Sequence, residues 1–472
     1  MTPPPRSKLR RWSLAAAGVA GVGLVGGFTA LAVLIFPIGT GAAAKAVCSD
    51  VFVSGRDPEG VIAQELPQAF FVSYSVDESA GTVDAHAFGL RRKQAVYRAG
   101  LGCALALEVE ANELKAQGFE PAHTAAAPSA APWPLGDGAD ERPDPPGLDR
   151  AALDAAIADV FDDSDQDPPL NTRAVVVVHR GRIVAERYAE GFDAEMPLLG
   201  WSMTKSVTSA LIGILVGRGT IDVDAPIGFS AWAGADDPRA ALTWDALLRM
   251  SSGLEFNEDY GLRTDVTLML FDRHDGSAVG LDRELTAPAD TVWSYSSGTT
   301  NLLQRRIREL FDDDAAYHRF PHEALFGPVG MRSAVMETDP SGTFVGSSFM
   351  YATARDWARF GQLYLQDGVW TDAGGQTTRI LPEGWVARSV APTPTHPSQG
   401  YGFQWWLNAA TDEAERALPG VPSDAYFASG HQGQIILVVP SRDAVIVRLG
   451  MTNERKWPRA EFAAAVLAAL PE

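Results

Sequence analysis

Ser202 and Lys205 stand three positions apart in the run Gly200-Trp201-Ser202-Met203-Thr204-Lys205-Ser206. On a helix that spacing puts a hydroxyl and an amine on one face. Such a pair can work as a nucleophile and its proton partner if the amine gives up its proton. A desolvated lysine does so, whereas arginine stays charged at any working pH. The chain uses 33 arginines and only six lysines, and Lys205 is the sole lysine between Lys115 and Lys456. Trp201, Met203 and the apolar stretch that follows are the neighbours that would strip water from it. Ser202 also falls just before a predicted helix, where free backbone N–H groups and the positive end of the dipole favour a developing oxyanion.

Two later groups could join this pair. Trp293-Ser294-Tyr295-Ser296-Ser297-Gly298 lies in a loop before a helix expected from about Asn301. There Tyr295 offers a phenolic proton carrier and Ser297 a small hydroxyl; taken alone, Trp293 and Tyr295 read as packing residues in a turn. Ser429-Gly430-His431-Gln432-Gly433-Gln434 leads into a hairpin. Its glycines would let a substrate approach a strand edge, and the N–H of Gln434 could share an oxyanion with that of Ser202.

The elements that must hold these groups are legible as patterns. Residues 151–161 read as an alanine-rich helix, 172–179 and 182–188 as a hairpin turning at Arg180-Gly181, and 204–218 as an apolar helix with Val207, Ala210, Leu211, Ile214 and Leu215 on its buried face. A mostly helical middle follows (243–250, 301–311, 321–326, 354–366). A second hairpin, 433–439 with 444–449, and a helix at 463–470 close the chain. Hairpins at both ends of a helical insert predict an α+β fold: an antiparallel sheet flanked by helices, with a mostly helical lobe beside it.

The rest of the chain is organised around that domain. Arg6, Lys8, Arg10 and Arg11 precede residues 14–38, which carry no charge. As a helix this stretch spans about 37 Å, enough for a hydrocarbon core of about 30 Å. Residues 1–47 are therefore expected to be a basic cytoplasmic tip and a transmembrane anchor, with the bulk of the chain outside the inner membrane. Ala42-Ala43-Ala44 leaves room for cleavage. Residues 48–116 read as a small β-rich module in which Cys48 and Cys103 can form a disulfide in an oxidising compartment. Residues 117–147, rich in Pro and Ala, read as an extended linker, and 148–472 as the catalytic domain. A formal net charge of −20 argues against a nucleic-acid partner.

The three groups, in this order and roughly 90 and 135 residues apart, resemble those of the serine β-lactamase and penicillin-binding superfamily. The likeness is strongest to its class C-like branch, which includes DD-peptidases, esterases and 6-aminohexanoate-dimer hydrolases. Residues 242–254, 326–331 and 401–406 extend it. The resemblance implies Ser202 as the acylated nucleophile, Lys205 as its proton partner, Tyr295 as a proton relay, His431-Gln432-Gly433 as the third motif, and no metal or other cofactor. It implies a small-molecule amide or ester substrate, with a sensor without turnover and a peptidoglycan DD-peptidase as alternatives. Two positions depart from the family pattern: Ser297 replaces the common asparagine, and His431 replaces the common lysine. The second change removes a fixed cation and points away from antibiotic hydrolysis. No Gly-x-Ser-x-Gly elbow occurs. His318 and His322 are four apart, but Pro321 separates them, so no metal site is expected there.

Overall fold

The computed structural model describes residues 33–472, apart from 60, 67–68, 122–129, 139, 165–167, 235, 262, 373 and 453–456. The central feature is a six-stranded antiparallel sheet. In spatial order it runs β7 (Trp406–Leu407), β8 (Tyr426–Gly430), β9 (Gln434–Val439), β10 (Ala444–Gly450), β5 (Thr172–His179) and β6 (Arg182–Tyr188). The first and last hairpins of the domain meet at its centre, where Val177 pairs with Ile446. Strand β5 shows why the valine run folds this way. Ala174, Val176 and Val178 face the main core, whereas Val175 and Val177 face a second core on the other side. A strand buried on both faces reads as a near-continuous apolar run rich in β-branched residues.

Helices α2 (Arg150–Phe161) and α7 (Arg459–Ala469) cover the second face. Asp149 caps α2 by accepting the Ala152 N–H at 3.0 Å. The first face meets α6 (Ala354–Leu365) and, beyond it, a helical lobe. That lobe contains α3 (Thr204–Gly217), α4 (Asp265–Phe271) and α5 (Ser297–Arg308). Helix α3 is buried all round rather than on one face, from Thr204 to Leu215. Two of its hydroxyls find carbonyls: Ser206 donates to Gln404 O at 2.7 Å and Thr208 to Gly346 O at 3.1 Å.

The N-terminal module comprises strands β1 (Val72–Asp77), β2 (Thr82–Ala87), β3 (Leu90–Arg98) and β4 (Gly102–Leu105), with helix α1 (Phe36–Phe52) packed on their sheet. The proposed boundary at 47/48 therefore falls inside a helix. Ala43, Ala44, Val47 and Cys48 share a core with Val72, Val83 and Ala95, and Cys48 is bonded to Cys103. Helix α1 also rests on α4, and at Gly41 a side chain would strike the Phe271 carbonyl. Lys45 Nζ donates to Glu337, a residue outside the N-terminal module, and to Ser49 Oγ at 2.8 Å. Ser49 Oγ and the Cys103 N–H complete the shell of that carboxylate at 2.8 and 2.7 Å. Among the described residues no helix is long and apolar enough to cross a membrane. Most of the expected anchor, residues 14–32, lies outside the described residues.

The expected linker is structured in its second half. Trp133 is buried in the main core and donates to Arg355 O at 3.2 Å. Arg359 donates to Pro134 O at 3.0 Å and Gly136 O at 2.7 Å, and pairs with Asp137 at 2.8 Å. The proline-rich composition hides a strap held by one tryptophan and one buried arginine.

Candidate active site

Ser202 sits in a single 3₁₀ turn, Trp201–Met203, that feeds directly into α3. Trp201 holds φ at +49°, a left-handed conformation uncommon for a bulky residue. The turn is wedged in place on two sides. A side chain at Gly200 would strike the Trp357 ring, and one at Gly430, at the end of β8, would strike the Gly200 carbonyl. The strand end and the serine turn thus meet backbone to backbone, whereas the glycines of the third motif were expected to admit substrate.

Lys205, one turn into α3, is only 1% exposed. Its Nζ lies 3.1 Å from Ser202 Oγ, 2.9 Å from Ser297 Oγ and 2.9 Å from the Ser347 carbonyl. It also stands 4.8 Å above the Tyr295 ring. Burial lowers its pKa to about 8, against the opposing pull of the Glu258 carboxylate. The Ser347 segment is steadied by Asn301, whose side-chain oxygen accepts the Ser347 N–H at 3.1 Å.

The second motif starts a helix. Ser296 caps α5 by accepting the Thr299 N–H at 3.0 Å, which places Ser297 in the first turn. Glu258 lies against that helix end. It accepts the Ser297 N–H at 2.7 Å and the Ser297 hydroxyl at 2.5 Å. A carboxylate at a helix N-terminus is favoured by the dipole. Burial nevertheless raises the Glu258 pKa, offset in part by Lys205 and by the two Ser297 bonds. Glu258 was not singled out in the sequence, where it is one acid in the loop 254–264, with no period or motif to mark it.

Proton counting around Lys205 constrains its chemistry. The Ser297 hydroxyl has one proton and gives it to Glu258, so it can only accept from Lys205. The Ser347 carbonyl can only accept. A neutral amine therefore spends its two N–H groups on these partners, and its lone pair is left facing Ser202. In the ammonium form the third N–H points at the same oxygen. Loss of one proton from Lys205 turns a donor to Ser202 into an acceptor from it, with no movement of heavy atoms.

Tyr295 stands beside Lys205 and is near enough to Ser202 for that side chain to oppose part of the rise in its pKa. Burial, together with the Tyr401 phenol and the Glu258 charge, holds its pKa well above 10, so the phenol keeps its proton at neutral pH. Its ring stacks on Trp406 at 5.5 Å and meets Tyr401 edge-on. The two adjacent tryptophans split in role: Trp405 is fully buried against Phe360 and Tyr364, while half-buried Trp406 borders Tyr295.

His431 faces the serine from the third motif. Its ring stacks on Tyr260 at 5.3 Å, and Trp201 meets it edge-on at 5.4 Å. Desolvation lowers its pKa, so it is neutral near pH 7. Gln432 and Gly433 both take positive φ, and Arg448 holds their carbonyls at 3.3 and 3.2 Å. The Gln434 side chain turns away to bond the backbone of Gly450 and His431. Elsewhere, His318 bonds the Gly342 carbonyl at 2.8 Å and His322 packs edge-on against Phe119 and Phe326. Among the described residues no three His, Cys, Asp or Glu side chains converge as metal ligands.

The β-lactamase family profile matches residues 157–470, and the chain belongs to that family. A 6-aminohexanoate-dimer hydrolase of Paenarthrobacter ureafaciens is 26% identical over 317 residues, 61% of this chain and 73% of that protein. A solved Bacillus anthracis structure carrying a provisional label of the same kind is also 26% identical, with a TM-score of 0.52 over 64% of this chain and 81% of its own. A penicillin-binding-protein homologue from Caulobacter crescentus shares the fold at 16% identity, with a TM-score of 0.52 over 69% of this chain and 99% of its own. The chain is a serine hydrolase of the amidase or esterase type.

Proposed function

We propose that this hydrolase works by acyl transfer through Ser202 on amide or ester bonds without a neighbouring carboxylate, in the manner of its 6-aminohexanoate-dimer hydrolase and esterase relatives, while tethered to the membrane by the uncharged residues ahead of α1. The observation that carries the reading is the set of partners around Lys205, which among the described residues leaves the lone pair of the neutral amine facing Ser202. Ser202 Oγ adds to the carbonyl carbon as its proton passes to Lys205. The Tyr295 phenol, beside the same hydroxyl, hands its proton to the leaving nitrogen or oxygen and is reprotonated from Lys205. The N–H groups of Ser202 and Gln434 hold the oxyanion. Water then attacks the acyl-serine by the reverse proton path.

Support for the substrate class comes from the rim. Trp201, Tyr260 and His431 on one side and Trp293, Tyr295 and Trp406 on the other are uncharged at neutral pH. A panel of p-nitrophenyl esters, linear amides, a D-Ala-D-Ala peptide and a cephalosporin tests the reading on the full-length chain. Multiple turnovers on neutral esters or amides are expected. Stable acylation without release would mark a sensor instead, and preference for the D-Ala-D-Ala peptide a peptidase.

A further inference from the structure

Large exposed apolar side chains are concentrated at one place. Of the seven among the described residues, five (Val33, Leu34, Phe70, Phe88 and Leu90) belong to the N-terminal module and the start of the described chain. Phe70, Phe88 and Leu90 are 85%, 67% and 45% exposed. They form one surface. The Phe36 ring lies 5.4 Å from Phe71 and 5.8 Å from Phe88, and Phe71 lies 5.8 Å from Phe70. Phe71 in turn packs over Gly39 of α1. Leu90 follows Phe88 across the tight β2–β3 turn, and Val33 and Leu34 stand just ahead of α1.

Phenylalanines this exposed, one ahead of β1 and one at the β2–β3 turn, are costly in water. Two observations say what covers them. The uncharged stretch 14–38 runs into α1 at this spot, so whatever solvates that stretch is adjacent to the patch. In a chain of net charge −20, residues 86–93 hold Arg91, Arg92 and Lys93 and no acid. Arg92 pairs with Asp84 but keeps 69% of its side chain exposed, and Lys93 is drawn back to Asp272. Apolar tips backed by cations match the boundary between acyl chains and anionic headgroups.

We infer that the face bearing Phe70, Phe88 and Leu90 lies on an anionic phospholipid bilayer, with those three side chains in the headgroup–acyl boundary. The inference rests on the tether proposed above and adds which side of the folded body meets lipid. The test uses the full-length chain in vesicles of phosphatidylcholine and phosphatidylglycerol. Both native cysteines are joined in a disulfide, so Phe88→Cys, or Thr377→Cys on an exposed hairpin of the catalytic domain, accepts an environment-sensitive fluorophore at one position. Brominated lipid should quench the label at 88 at least about threefold more than the label at 377. Phe70→Ser with Leu90→Ser should abolish that difference while hydrolysis of a soluble ester stays within about twofold. A chain that fails to sediment with vesicles would overturn tether and face together. A vesicle-bound chain with equal quenching at both positions would overturn the face alone. So would a label at 88 shielded from water yet untouched by brominated lipid, which would mean a second copy covers the patch.

Discussion

Among the described residues two lysines are buried, and they contrast in one respect. Lys45 and Lys205 are both nearly inaccessible, both lean on an aromatic ring, and both have pKa values lowered chiefly by desolvation. Lys45 touches its carboxylate, Glu337, directly. Lys205 is separated from Glu258 by the Ser297 hydroxyl. Direct contact commits an amine to its partner and makes a clamp. An intervening hydroxyl lets the same charge tune the amine while its lone pair stays available to Ser202. One position of insulation separates a structural lysine from a candidate base.

The comparison can be broken hardest at the serine. Ser202→Ala should lower kcat/KM by at least about 10⁴-fold and abolish fluorophosphonate labelling, with the melting temperature unchanged. Next come the lysines themselves. Lys205→Arg keeps the charge but cannot lose the proton, and should cost about 10³-fold in kcat. Lys45→Ala should leave Glu337 buried and unpaired, costing about 3–5 kcal/mol in urea unfolding with little change in kcat for the folded fraction. If Lys205→Arg kept most of the wild-type rate, the distinction between the two lysines would collapse.

Smaller effects sharpen the role of insulation. The amine accepts a proton only when neutral, so kcat/KM should rise with pH through an apparent pKa near 8, the value burial sets for Lys205. Glu258 raises that pKa by favouring the ammonium. Glu258→Gln should therefore move the rising limb to lower pH by about one unit, read from a pH–rate profile. On the clamp side, Cys48→Ser with Cys103→Ser should destabilise the fold by about 2–4 kcal/mol in chemical denaturation and leave the pH profile where it was.

The sequence exposes the groups whose meaning is local. A lysine three residues after a serine in an arginine-rich chain is visible as a choice, and the valine-rich hairpins announce their sheet. Ser297 is visible as a candidate hydrogen-bonder, but the acid behind it is not. Glu258 is brought to α5 by a loop path that no periodicity records, and one acid among Glu255, Glu258 and Asp259 in such a loop reads as solvated. The N-terminal boundary is misplaced for a different reason. An alanine- and glycine-rich run without charges has the same composition whether lipid or a protein core surrounds it, and residues 36–44 have the core. Trp133 is lost in the same way, because average composition outvotes a single anchoring ring.

The location of Ala42, Ala43 and Ala44 has a practical consequence. A leader peptidase needs an extended, accessible substrate, and these alanines lie in a helix beneath a sheet, one residue before the lysine that neutralises Glu337. Trimming there after folding would first require prising the module open, and trimming before folding would remove the half of α1 that rests on α4. Recombinant versions should accordingly retain residues from about Val33 onward, since a start at Cys48 would discard a piece of the folded body along with the leader.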